Sequence, residues 1–416
     1  MRNNRLATFI ATVLVGVWPA CAAGPLQLKY VVIVSRHGVR SPTWDAARLN
    51  QYSAEPWPDW GVPPGNLTPH GRDLMKLMGS YYREWLLGEK LLGGAGCQDA
   101  GRVYIRADKD QRTLETGRAL AESLLPGCEI PVHSQPGGGS DPLFSGAGTP
   151  DPERALAALS ERLGPNPQKL AADHHAALDA LQLIVLGGLS AAPTVPTGLS
   201  RKGNSVELDG PFATGSTFSE NLLLEYANGM QGTALGWGRL TRENLNRVLE
   251  LHAVYADLMR RTPYLARARG SNLLAHVLHS LVQAQSGGVT AGALGQPGDA
   301  LLVLSGHDTN LSNLSGMLGL SWTLPGYQPD DTPPGGALIF SLWRDPTGPY
   351  YMKLRYVAQT LDQMRNAQPL SLAAPPASQE VKIQGCPAAE DACPWTTARA
   401  LMQKAIDPQF TSADPR

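Results

Sequence analysis

Apolar and polar positions follow two rhythms along this chain, and the points where one gives way to the other carry the most information. Tyr30-Val31-Val32-Ile33-Val34-Ser35 is an unbroken apolar run rich in β-branched side chains. Such a run, with no polar alternation, reads as a strand buried on both faces. Residues 103–107, 300–305, 337–343 and 351–357 read as further strands, and Asp345-Pro346-Thr347-Gly348 as the hairpin turn between the last two. A helical rhythm appears where Leu74, Leu77, Met78, Tyr81, Tyr82 and Trp85 follow Thr68-Pro69. Thr68 suits the N-cap and Pro69 the first helical position. Helices are also predicted over 111–125 and 311–318.

The middle of the chain changes character. Gly137-Gly138-Gly139-Ser140 and the Pro/Gly run to Pro152 read as a linker, and helical segments follow at 151–163, 167–186, 216–229 and 241–261. The expected architecture is α/β: a doubly wound mixed sheet flanked by helices, with a smaller, mostly helical domain inserted. The sheet domain would be discontinuous, 23–140 with 285–416, and the insert would span 141–284.

Composition narrows the function classes. The formal net charge is −1, so no global basic field points to nucleic acid. Residues 1–22 read as an export signal: Arg2 and Arg5, a short apolar core from Leu6 to Trp18, and a small-x-small cleavage site at Ala20-Cys21-Ala22. No later segment has the apolar length of a membrane span. The mature chain is therefore expected to be periplasmic or secreted, free of the membrane and monomeric. Export leaves Cys97, Cys128, Cys386 and Cys393, an even count that favours two disulfides in an oxidising compartment. Three pairings are formally possible, and Cys97–Cys128 with Cys386–Cys393 is the expected one.

The candidate chemistry lies where strands end. The first apolar run delivers Arg36-His37-Gly38-Val39-Arg40, the 300–305 run delivers Gly306-His307-Asp308-Thr309-Asn310, and the 103–107 run leads into Asp110-Gln111-Arg112. Open α/β sheets bind ligands at the carboxyl edge of their strands. Guanidiniums grip oxyanions in forked pairs, and an imidazole between them can attack or donate a proton. No Cys/His cluster of zinc spacing, phosphate-loop or dinucleotide fingerprint accompanies them. His276 and His279 share a helical face but find no third ligand nearby in sequence, so they read as ordinary helix residues.

Together these segments resemble the histidine acid phosphatase family, in its periplasmic acid phosphatase/phytase branch. Gly215–Met230, Gly236-Trp237-Gly238-Arg239, Trp322–Gly326 and Asp331-Thr332-Pro333-Pro334-Gly335-Gly336 extend the likeness over nearly the whole mature chain. The resemblance implies a metal-independent, cofactor-free acid phosphatase acting on small phosphomonoesters. His37 would form a phosphohistidine, Arg36, Arg40, Arg112 and His307 would hold the phosphoryl oxygens, and Asp308 would protonate the leaving oxygen. Phytate is the expected specific substrate. The alternatives are a glucose-1-phosphatase-like sugar phosphatase and a non-catalytic phosphate-ester binding protein. Thr43, Trp44 and Arg267 are the expected substrate rim. Trp44 stands where phytases of this branch commonly carry a basic residue, and Arg267 or Arg269 could replace that charge.

Overall fold

Both faces of the first strand meet apolar layers, which is why its sequence shows no polar alternation. Tyr30, Val32 and Val34 belong to one buried cluster, and Val31 and Ile33 to the other. The computed structural model describes residues 25–94, 96–189, 195–387 and 392–412. The export signal read at 1–22 lies outside these residues.

The described strands are β1 (Gln27–Arg36), β2 (Val103–Ala107), β3 (Val132–His133), β4 (Gly198–Lys202), β5 (Ser205–Asp209), β6 (Leu301–Gly306), β7 (Ala337–Arg344), β8 (Tyr350–Ala358), β9 (Ala377–Val381) and β10 (Cys393–Pro394). The main sheet runs in the order β10-β8-β7-β1-β6-β2-β3, with β9 also paired to β8, while β4 and β5 form a separate hairpin. β1, β6, β2 and β3 are mutually parallel, whereas β7 and β8 are antiparallel neighbours on the other side of β1. The sheet is thus mixed and covered by helices on both faces, as the sequence predicts.

Register decides what happens at the carboxyl edge. Arg36 pairs with Gly306 and Ser35 with Ser305, and Ala107 also pairs with Ser305. Three strands therefore end nearly flush, so the segments that follow them leave the sheet side by side. The Pro69–Gly88 and Gln111–Leu124 helices cover one face. Pro211–Ala227, Arg242–Arg261, Pro263–Ser286 and Asp308–Leu318 build the other, in one apolar cluster that continues from the sheet into the helical part of the chain.

The region from 141 to 284 is helical in most of its described residues but also contains the β4–β5 hairpin, and the predicted 167–186 helix is broken at His174. Cys97–Cys128 and Cys386–Cys393 are both formed. No helix among the described residues is long and apolar enough to cross a membrane.

Candidate active site

The loop leaving β1 is pinned before any ligand arrives. The Arg36 N–H donates to Gly336 O at 2.8 Å, and the Gly335 N–H donates to His37 O at 2.9 Å. The Asp331–Gly336 segment thus braces the main chain at Arg36 and His37. Gly38 passes so close to the first turn of the Pro69–Gly88 helix that a Cβ there would lie 2.9 Å from Gly71 O and 2.8 Å from Met75 Cγ. Only glycine fits. On the helix side, Thr68 Oγ1 accepts from the Gly71 N–H at 2.9 Å with Pro69 at the first turn, as the sequence predicts.

His37 is 2 % exposed. Its Nδ1 lies 2.8 Å from Gly38 O; a carbonyl only accepts, so Nδ1 carries the proton and Nε2 keeps its lone pair. Burial, then Arg36, Arg40, Arg112 and His307, hold its pKa well below the usual histidine range. The imidazole is therefore neutral at acidic pH, the form a nucleophile needs. Arg36 and Arg40, both buried, each donate to Glu220, Arg40 at 3.1 Å to Oε2. Arg36 also donates to Thr332 O. Burial raises the pKa of Glu220, but Arg40 and Arg36 outweigh it and hold the carboxyl near 2.

The other two junctions close the opposite side. Arg112 meets Asp110 at 2.6 Å, and its Nη2 lies 3.5 Å from His307 Nδ1. His307 Nε2 donates to Asp108 Oδ2 at 2.7 Å, which turns Nδ1 toward Arg112. The rings of His37 and His307 stand 5.6 Å apart, edge to face. The Asn310 side chain accepts from the His307 N–H at 2.9 Å and donates to Phe144 O at 2.7 Å, so its place in the motif is explained by anchoring the turn.

Asp308 opens the following helix and is 9 % exposed. Its Oδ2 accepts from Arg260 Nη1 at 2.5 Å and lies 3.7 Å from His252 Nε2; its Oδ1 accepts from the Thr309 N–H at 2.9 Å. Burial raises its pKa, yet Arg260, Arg36 and His252 hold it well below the usual carboxylate range. His252 is fixed from behind, its Nδ1 lying 3.0 Å from Ser216 Oγ.

The structure thus brings Arg36, His37, Arg40, Arg112, His307 and Asp308 together. It treats the rim residues differently. Gly65 adjoins both Arg112 and Thr43: a Cβ on it would lie 3.5 Å from Arg112 Nη1 and 3.7 Å from Thr43 Cγ2. Trp44 packs edge-on to Phe218 at 6.0 Å and carries Arg48 over its face at 3.5 Å. Arg267 is not brought to the cluster. It lines a separate pocket with Met317, Leu318 and Gln384, at the far end of the helix whose first residue is Asp308. Nine residues of helix are about 14 Å. The Pro263–Ser286 helix runs alongside that helix and presents position 267 to its carboxyl end, which is why the expected rim role fails. Arg269 lines a different pocket with Gly146, Thr149 and Lys202.

Glu220, Asp108, His252 and Arg260 were not singled out by sequence reasoning. Glu220 and His252 lie inside helices at positions that helical rhythm assigns to packing, and Arg260 reads as one of two arginines matching a helix C-terminus. Asp108, the first residue beyond β2, had a usable signal: like Arg36 and His307 it stands where an apolar strand run ends. Carboxylate and imidazole atoms of Asp108, Asp110 and His307, and of Glu220, His252 and Asp308, lie within 4.8 Å of one another. Neither group reads as a metal centre, because guanidinium or imidazole already matches each carboxylate.

Comparison with known proteins follows the same segments. The family model described as histidine phosphatase superfamily (branch 2) matches residues 27–151 and 216–357. The chain is 37 % identical over 386 residues to phytase AppA of Escherichia coli (strain K12), covering 87 % of each chain. It is 28 % identical over 399 residues to a glucose-1-phosphatase of Providencia rettgeri, covering 92 % of this chain and 93 % of that one. Among solved structures, Hafnia alvei phytase in complex with myo-inositol hexakis sulphate superposes with a TM-score of 0.84 at 37 % identity, over 94 % of this chain and 99 % of that one.

Proposed function

The chain belongs to branch 2 of the histidine phosphatase superfamily and is a phosphomonoester hydrolase of the acid phosphatase type; from that premise we propose which residues act and on what. The observation that carries the reading is the setting of His37: buried, with its Nδ1 proton tied to Gly38 and three arginines around it, surroundings that favour the neutral ring. Nε2 attacks phosphorus as the bond to the leaving oxygen breaks, giving a phosphohistidine. Arg36, Arg40, Arg112 and His307 hold the equatorial oxygens, where charge gathers in a loose transition state. Asp308 gives its proton to the departing alkoxide. In the second step the same carboxylate takes a proton from water as water attacks phosphorus, and His37 and inorganic phosphate are released.

Phytate is the proposed specific substrate, on the strength of the likeness to phytases. Glucose 1-phosphate is the second reading, favoured by the glucose-1-phosphatase relatives and by an aromatic residue, Trp44, where phytases commonly carry a cation. A larger kcat/KM on phytate than on glucose 1-phosphate is expected, and the reverse order selects the second reading. Two disulfides fit an exported protein, and we place it in the periplasm or outside the cell as a monomer.

Single-turnover kinetics test the roles. His37→Ala is expected to leave no acid-labile phosphoenzyme after rapid quench. Asp308→Asn is expected to slow phosphorylation by alkyl esters on the order of 10²–10⁴-fold. It should slow phosphorylation by p-nitrophenyl phosphate much less, since that leaving group needs little protonation. Equal losses for both esters would remove Asp308 from the acid role.

A further inference from the structure

We propose that Arg260 is a substrate-responsive counter-ion: it keeps Asp308 ionised in the empty site and turns to the phosphoryl group when substrate enters, so that Asp308 takes up its proton only with substrate bound. This rests on the acid role proposed for Asp308 and addresses its central difficulty. An acid must hold a proton, and the resting geometry withholds one. Both oxygens of Asp308 already accept from N–H donors, Oδ2 from Arg260 and Oδ1 from Thr309, an arrangement that favours the carboxylate.

The groups facing Asp308 explain what must change. Arg260 and His252 come from the Arg242–Arg261 helix, Arg36 from β1, Arg112 from the Gln111–Leu124 helix and Glu220 from the Pro211–Ala227 helix. Among the ion-paired groups of the pocket, four guanidiniums, Arg36, Arg40, Arg112 and Arg260, stand against four carboxylates, Asp108, Asp110, Glu220 and Asp308. Entry of a phosphate monoester overloads the negative side. One carboxylate must be neutralised by a proton, and Asp308 is the one whose proton the reaction consumes.

Arg260 is suited to release it. Its side chain is 16 % exposed against 1 % for Arg36, and it stands next to last in its helix, so its long stem can follow an incoming anion. Arg36, by contrast, is tied to both Glu220 and Thr332. When Arg260 moves to a phosphoryl oxygen, a proton from solvent replaces it on Oδ2. For a phosphomonoester monoanion, the form at acidic pH, one proton balances the added charge, and no co-reactant is required.

The test compares two pH profiles of the intact enzyme with an alkyl phosphomonoester such as glycerol phosphate. The alkaline limb of kcat/KM reports the acid in the free enzyme and that of kcat reports it in the complex. In the wild type the kcat limb is expected at higher pH. Arg260→Gln should move the kcat/KM limb upward by roughly one to three pH units, the usual effect of removing an adjacent cation from a carboxylate. That closes the gap. Arg260→Lys, which keeps the charge, should stay near the wild type, and the p-nitrophenyl phosphate limb should not follow the Arg260→Gln shift. Coincident wild-type limbs overturn the proposal without any variant. So does an unmoved limb in Arg260→Gln, or an equal shift in Arg260→Lys. The acid role beneath it fails separately, through equal losses for both esters in Asp308→Asn.

Discussion

Glu220 shows how one side chain sets the charge state of a whole pocket. It holds both Arg36 and Arg40, and they in turn keep its carboxyl near 2, well under the roughly 4.3 of a free glutamate. A depressed carboxyl contributes stability that is fully present above the unfolded pKa and lost as pH falls through the folded one. The window here runs from about pH 4.3 down to about 2, and the linkage is worth about 3 kcal/mol. Glu220→Gln is therefore expected to destabilise the enzyme by about 3 kcal/mol in urea unfolding at pH 6, a difference that shrinks steadily below pH 4. A constant difference at every pH would mean that packing, not the ion pair, is what the carboxylate supplies. The residues that sequence exposed, Arg36, His37, Arg40, Arg112, His307 and Asp308, share one property: each lies at a strand's carboxyl end, in the loop just after it, or in the first turn of a helix. Glu220, His252 and Arg260 act from helix interiors and ends, where the partners they meet are 36 or more positions away in sequence and helical rhythm does not mark them.

At the scale of elements, legibility followed burial. β1, β6 and most of β7 announce themselves because strands buried on both faces are apolar along their length, and β8 because its buried positions alternate with half-buried Lys353 and Arg355. The β4–β5 hairpin does not: Val206 and Leu208 are its only buried apolar side chains among the described residues, so alternation is too weak to read. The Pro263–Ser286 helix hides for the opposite reason, being buried on nearly every side and so lacking the one-sided stripe that betrays a surface helix. The Cys97–Cys128 bond then shows what elements do apart from the site. It joins the loops after the Pro69–Gly88 and Gln111–Leu124 helices, at the ends away from Thr68 and Arg112. The second helix has 14 residues, about 21 Å at helical rise. Replacing both cysteines by serine should lower stability by roughly 3–4 kcal/mol on a chain-entropy estimate for a loop of this size. Turnover at 25 °C should be unchanged, because both helix starts keep their own anchors. A parallel fall in kcat would show that the bond also positions Arg112.

For the molecule as a whole, pH acts on buried groups of opposite sense. Glu225 lies about one and a half turns beyond Glu220 on the same helix, fully buried, its Oε2 accepting from the Gly236 N–H at 2.8 Å and its Oε1 without a protein partner. No cation among the described residues is aimed at it, so burial pushes its pKa up to about 8, and one helix carries an ionised and a neutral glutamate at the same pH. A raised carboxyl favours the fold fully only below the unfolded pKa. As pH climbs from about 4.3 toward 8, the unfolded chain ionises while the folded one cannot, at about 1.4 kcal/mol lost per pH unit. Asp331, raised mainly by burial, acts in the same direction. His37 and His276, lowered mainly by burial, act in the other, because below about pH 6.5 the unfolded chain takes protons that they refuse. The wild-type profile sums these opposing slopes, so its shape alone identifies none of them. The difference between wild type and Glu225→Gln isolates one. At pH 4.5 both side chains are neutral and unfolding free energies should nearly coincide. By pH 7 the variant should have gained about 3 kcal/mol on the wild type. Curves that run parallel from pH 4.5 to 7 would mean that Glu225 ionises as readily inside the fold as outside it, and that its helix does not hold two glutamates in opposite charge states.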